Sequence, residues 1–90
     1  MKLDSNVNIK DSVFLQEVDD ETILLDTNTQ EYFSLNEVGG VFYYMLKDEA
    51  NLQKSAEVLA EHFKVSLQEI EKDLLAFVKA LEEKGLVTLL

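Results

Sequence analysis

The sequence predicts an α+β domain, a three-stranded antiparallel sheet followed by three helices in a winged helix-turn-helix-like order. Three observations carry that prediction. The first third holds short runs of β-branched, aromatic and other apolar residues separated by turn formers. After Asn36 the apolar residues recur at helical spacing. Only Lys64, Val65 and Ser66 then separate the second helical pattern from the third, which is helix-turn-helix spacing.

The elements follow in order. Val7 and Ile9 alternate with Asn8 and Lys10 as in a strand. Three antiparallel strands are expected near residues 12–18, 21–26 and 30–35, with Asp19-Asp20 turning the first pair and "DTNT" the second. Asn36 suits an N-cap, and Val38, Phe42, Met45 and Leu46 make the stripe of a first helix from Glu37. Within it Gly39-Gly40 costs about 1 kcal/mol per glycine, so a close approach to the sheet or to the third helix is expected there. Adjacent Tyr43 and Tyr44 cannot share one narrow stripe, so one of them points outward. Asn51 caps a second helix bearing Leu52, Ala56, Leu59, Ala60 and Phe63. Ser66 and Glu69 form a capping box, with Val65 and Ile70 at staple positions. Leu67, Ile70, Leu74, Phe77, Val78 and Leu81 give the third helix a broad apolar face. Lys84-Gly85 stops it, with Leu86 placed to close the stop. "LVTLL" reads as a short end strand or a packed tail.

A chain of 90 residues is expected to be one domain, with its core over about residues 12–88. The absence of cysteine excludes disulfides and thiolate metal sites. The N-terminus lacks the apolar run of a signal peptide, and no apolar stretch reaches the roughly 18 residues of a membrane span. A cytoplasmic protein without a membrane partner is expected. The formal charge is −10, with residues 1–45 carrying nine acids against two lysines and residues 46–90 nine acids against six lysines. Such a surface repels nucleic acid and anionic lipid and favours a basic or neutral partner.

No catalytic constellation emerges, so no enzyme activity, cofactor or metal is expected. His62 is the single histidine and reads as a surface residue at a helix C-terminus. Asp19-Asp20-Glu21 lacks the glycine-bearing loop of a calcium site, and Gly39-Gly40 lacks the lysine of a phosphate loop. A DNA-reading third helix would place Glu69, Glu71 and Asp73 at the bases, and the chain has no arginine. An acidic winged-helix regulator is therefore the weakest reading.

Surface for another polypeptide remains. Residues Gln30, Glu31, Tyr32, Phe33, Ser34 and Leu35 form the last strand before the helices, and a strand at a sheet edge offers unpaired backbone groups to an incoming strand. Alternation puts Tyr32 and Ser34 on one face and Phe33 and Leu35 on the other, and the second pair, which leads into the first helix, is expected to face the core. On the third helix Leu75 and Val78, edged by Lys72 and Lys79, either supply the other wall of a groove or merely pack on the sheet. An acidic residue at Leu75 or Val78 is expected to weaken binding there without harming the fold. The rival use of the same edge is pairing with a second copy, as a homodimer or structural oligomer.

These stretches resemble the PqqD-like family of peptide-recognition domains. The resemblance is carried by "ETILLD", by "EYFSLNEVGGVFYYML" with its Leu35-Asn36-x-x-Gly39, and by "VLAEHFKVSLQEIEKDLLAFVKALEEKGLV". It covers about residues 14–88. The chain departs from the family in having no tryptophan near Phe42 or Tyr43 and no glycine in "DTNTQ". The resemblance implies a non-catalytic adaptor that binds the leader segment of a ribosomally made precursor peptide. The leader would add as a strand beside residues 30–35 and lie against Leu74, Leu75, Val78 and Lys79. The adaptor would present its cargo to a maturation enzyme, such as a radical S-adenosylmethionine enzyme or a leader peptidase.

Overall fold

The computed structural model of the chain describes residues 5–90. In chain order the elements are β1 (Val7–Ile9), β2 (Val13–Val18), β3 (Glu21–Asp26), β4 (Glu31–Leu35), α1 (Glu37–Asp48), α2 (Leu52–Phe63), α3 (Leu67–Glu83) and β5 (Val87–Leu89). The three expected strands are β2, β3 and β4, an antiparallel meander in the order β2-β3-β4. A second, two-stranded sheet pairs β1 with β5, Val7 opposite Leu89 and Ile9 opposite Val87. "LVTLL" is thus a strand, and its partner lies at the other end of the chain. Val7 joins the core through this pairing, so the core extends beyond the expected lower bound at residue 12.

Local chemistry explains the turns. Asp19 and Asp20 both sit at positive φ, 49° and 69°, as the two central residues of a tight hairpin closed by Val18 and Glu21. Aspartate tolerates this region better than most residues, and the primed turn matches the strand twist. In the β3–β4 turn the Asp26 carboxylate accepts the Asn28 N–H at 3.0 Å, and Gln30, at φ 63°, donates its N–H to the Asp26 carbonyl at 2.7 Å.

The helix caps form as expected. Asn36, Asn51 and Ser66 each accept a backbone N–H three residues on, from Gly39, Lys54 and Glu69 at 2.7, 3.0 and 3.2 Å. Each such cap contributes about 1 kcal/mol. Gly85, at φ 76°, ends α3, and the Leu86 N–H donates to the Leu81 carbonyl at 3.0 Å while the Leu86 side chain is buried. Leu67 departs from the expected buried face: at the first position of α3 it is exposed.

The register of the meander fixes its faces. Leu15, Leu24 and Phe33 are neighbours across the three strands and point inward, with Val13 and Leu35 on the same side. Phe14, Leu25 and Tyr32 line up on the outer face, where Phe14 and Tyr32 are exposed. Leu24, Phe42, Tyr43, Leu46, Leu52, Leu59, Ile70, Leu74, Val78 and Leu81 form the core between sheet and helices. Tyr43 is the tyrosine that turns inward, and Tyr44 turns outward.

Leu74 and Val78 are fully enclosed in that core, which corrects their expected place on a groove wall. The physical reason is their azimuth: with Ile70 and Leu81 they define the centre of the α3 stripe, not its flank. An acidic residue at Val78 therefore tests the fold and not the groove. Burying an unpaired carboxylate costs several kcal/mol, and a domain is held by only about 5–15 kcal/mol. Val78→Asp is expected to abolish the cooperative urea transition at neutral pH. Lys79→Glu, one exposed residue further on, is expected to change stability by no more than about 0.5 kcal/mol. A cooperative, wild-type-like transition for Val78→Asp would contradict this packing.

Candidate functional site

The site begins at the outer edge of β4. One side of this strand pairs with β3, and no strand of the described residues pairs with the other. Every second residue of β4 thus turns its N–H and C=O away from the sheet. Glu31, Tyr32 and Ser34 are exposed, and Phe33 and Leu35 are half-buried on the inner face. Gln30, expected within the strand, instead forms the last turn residue before it.

Asn36 alone separates β4 from α1, so the strand passes directly into the helix. The two glycines that follow have separate neighbours. A Cβ on Gly39 would stand 3.3 Å from the Phe77 ring of α3 and 3.2 Å from the Asn36 cap oxygen. A Cβ on Gly40 would stand 3.3 Å from the Thr22 hydroxyl of β3. The pair therefore serves both expected approaches, one to the third helix and one to the sheet. Phe77 is held edge-on to Phe42 at 5.6 Å, and Phe42 is in turn edge-on to Phe63 at 6.0 Å.

The flank of α3 that faces β4 follows from these contacts. Phe77 meets the β4–α1 junction, and the Lys84 ammonium lies 5.1 Å from the centre of the Phe33 ring. Leu75 and Lys79 are each two residues from Phe77, about 200° round the helix. Lys72 is five residues away and also lies off the Phe77 flank. The expected wall of Lys72, Leu75 and Lys79 is thus on the other side of α3, with Leu75 half-buried and both lysines exposed. Phe77 and Lys84 are the α3 residues beside β4, and the sequence had placed one in the core and the other in the helix stop. Their i, i+7 spacing was the available signal for a shared flank.

Two concavities adjoin the junction. An open bowl of about 760 Å³ lies between the β2–β3 turn and α1, lined by Glu17, Asp19, Asp20, Glu37, Val41 and Tyr44 among others. A smaller cup of about 260 Å³ lies between the starts of α1 and α3, with Phe42, Phe63 and Ile70 as its apolar lining. His62 is exposed beside this region with its ring edge-on to Phe63 at 4.9 Å. Among the described residues no cluster of three or more histidine, aspartate or glutamate side chains is arranged to hold a metal ion. No helix among them is long and apolar enough to cross a membrane.

The family model described as coenzyme PQQ synthesis protein D (PqqD) matches residues 21–87. This chain belongs to the PqqD family. Among solved structures it is similar to TbiB1, determined in complex with the TbiA(beta) leader peptide. The two share 30% identity with a TM-score of 0.80, over 89% of this chain and 93% of that one. A lasso peptide synthetase B1, complexed with the leader peptide, superposes with a TM-score of 0.81 at 24% identity, over 92% of this chain and 98% of that one. At that identity the second likeness speaks to the fold. A search of curated proteins finds no significant match. The PqqD-family match covers β3, β4 and all three helices, so the edge strand and the α3 flank both lie inside it.

The bowl has one titration signature. Tyr44 donates its hydroxyl to the Glu17 carboxylate at 2.9 Å. That hydrogen bond, then partial burial and the Glu17 charge, raise the Tyr44 pKa above the ordinary 10.0. Burial raises that of Tyr43. Both shifts favour the neutral phenol in the folded state. The stabilisation they represent is complete below about pH 10 and is lost as pH rises through the raised values. Replacing Glu17 by alanine is expected to lower the Tyr44 pKa toward the ordinary phenol value in a spectrophotometric titration, with Tyr43 unmoved. An unchanged Tyr44 titration would remove Glu17 as the cause.

Proposed function

We propose that this chain is a non-catalytic adaptor that binds the leader segment of a ribosomally made precursor peptide. The leader adds as a strand to the free edge of β4 and presents the rest of the precursor to a maturation enzyme. The observation that carries this reading is the uncovered β4 edge beside an apolar wall, Phe33 and Leu35 on the strand and Phe77 on α3. Added-strand recognition needs those two things: backbone groups to fix register and apolar contacts to supply affinity. Similarity to TbiB1, whose structure contains a bound leader peptide, supports the same assignment.

The binding surface comprises residues 31–35 with Phe77 and Lys84. Leu74 and Val78 act beneath it as core. Phe33 and Leu35 are half-buried in the free protein, so part of their apolar area remains for a ligand to cover. Burial of apolar area contributes about 25 cal/mol per Å², reduced by the cost of ordering an extended leader. The partner enzyme belongs to the same peptide-maturation chemistry, a radical S-adenosylmethionine enzyme or a leader peptidase. On this reading the adaptor works in the cytoplasm, where the precursor is made.

Calorimetric titration with the leader of a precursor encoded beside this chain is expected to give saturable one-to-one binding. Amide chemical shifts should move at residues 31–35 and at the Phe77–Lys84 end of α3. Phe33→Ala should weaken the complex about tenfold, the equivalent of losing roughly half of a buried aromatic side chain. Unchanged affinity in that variant, with shifts confined to another surface, would overturn the site. A persistent dimer in gel filtration that buries β4 would favour pairing between copies instead.

A further inference from the structure

The cup between the starts of α1 and α3 continues the groove beyond the end of β4. Along the strand, Phe33 lies by Lys84 and the Leu35–Gly39 junction lies by Phe77. The strand and α3 therefore run in opposite directions. Further along the same flank of α3, one and two turns before Phe77, stand Asp73 and Glu69. These two line the cup together with Val38, Phe42, Phe63, Val65 and Ile70. The lining is mixed in a specific way. Its floor is aromatic and aliphatic, Val38 and Val65 are exposed beside it, and its only charged residues are the two acids.

Neither acid has a charged partner among the described residues. Glu69 uses its backbone N–H to satisfy the Ser66 cap, and no ion pair or side-chain hydrogen bond engages its carboxylate or that of Asp73 among the described residues. An apolar floor under two unpaired carboxylates suits a side chain with an alkyl stem and a cationic head. A long apolar side chain fills only the floor, and an acidic one meets like charge. Lysine and arginine satisfy both parts, because they lay their stems on apolar surface and extend the charge to the rim.

We propose that the cup is a specificity subsite that takes a lysine or arginine of the bound strand, its stem on Phe42, Phe63 and Ile70 and its head between Glu69 and Asp73. The inference rests on strand addition at β4 and adds a position and a sign to it. Both pairings within the meander are antiparallel. A strand added in the same sense runs opposite to β4, so its N-terminal side reaches the cup. The basic residue therefore precedes the segment that pairs with Leu35 and Phe33. A free-edge ligand lacking that residue still binds, with lower affinity and weaker dependence on salt.

Selection of a random displayed peptide library on the full chain tests this directly. Selected peptides are expected to share an alternating apolar segment preceded by a fixed lysine or arginine. Selection on the Glu69→Gln, Asp73→Asn double variant should keep the apolar segment and lose the fixed basic position. Both residues are exposed on α3, so the variant keeps its fold, which its urea transition verifies. For one selected peptide, replacing the basic residue by methionine should weaken binding to the wild-type chain by about three- to tenfold at low salt and leave binding to the double variant unchanged. An apolar pattern without a fixed basic position would overturn the subsite and leave strand addition standing. A fixed basic position that survives in the double variant would place the cation elsewhere. No shared apolar segment at all would overturn the reading of β4 on which the subsite depends.

Discussion

The direct passage from β4 into α1 is the constraint on which the rest of the structure depends. One residue, Asn36, ends the strand and caps the helix with its side-chain oxygen 2.7 Å from the Gly39 nitrogen. With no loop to absorb a misfit, the first turn of α1 must lie against both the sheet and α3. A side chain at 39 or 40 would have crowded Phe77 or Thr22, and the glycines remove that conflict. Their unfavourable helix propensity, about 1 kcal/mol each, is the cost of that geometry. In return the edge of β4, the Phe77 ring and the cup are held in one line.

Separation of roles around α3 follows from that placement. Ile70, Leu74, Val78 and Leu81 are spent on the core, where a small domain has few residues to spare. The neighbouring row of Glu69, Asp73, Phe77 and Lys84 faces α1 and β4. A helix of this length thus carries a buried apolar stripe and, about a quarter-turn away, a mixed row facing α1 and β4. The opposite rim of the junction is acidic, with Glu17, Asp19, Asp20 and Glu37 around the open bowl. A surface of this sign disfavours a polyanion and suits a partner of basic or neutral character.

Most of the fold was legible because its determinants are local. Turn formers at Asp19-Asp20 and "DTNT", caps at Asn36, Asn51 and Ser66, and the Gly85-Leu86 stop each act within a few residues. The strands β2, β3 and β4 and the three helices could be read from these signals and the change of hydrophobic period. Pairing of β1 with β5 was not legible, because three-residue strands at the two ends of the chain carry no local mark of their register. The two faces of β4 were legible, Phe33 and Leu35 inward and Tyr32 outward. Lys72, Leu75 and Lys79, expected to face β4, lie on the flank of α3 opposite Phe77. Periodicity gives the centre and width of an apolar stripe, but the direction from that stripe to a particular neighbour is a tertiary fact. Leu75 and Val78 read as surplus apolar residues beside the stripe, and Phe77 as one more core aromatic.

The edge of β4 gains its meaning from what surrounds it. Sheet edges commonly carry lysine, proline or a bulge that discourages pairing with other chains. Here the strand reads Glu-Tyr-Phe-Ser-Leu, without lysine, without proline and in continuous register with β3. Its one acid, Glu31, sits at the start, and the acidic bowl lies past its other end. An uncovered edge of this kind invites indiscriminate pairing unless charge restrains it. A formal charge of −10 supplies such a restraint against a second copy, since like-charged chains repel on approach. The same charge favours the approach of chains of opposite sign. The acidity of the chain and the bareness of its edge therefore act together: an open edge offers backbone pairing to any strand, and a negative field disfavours acidic ones.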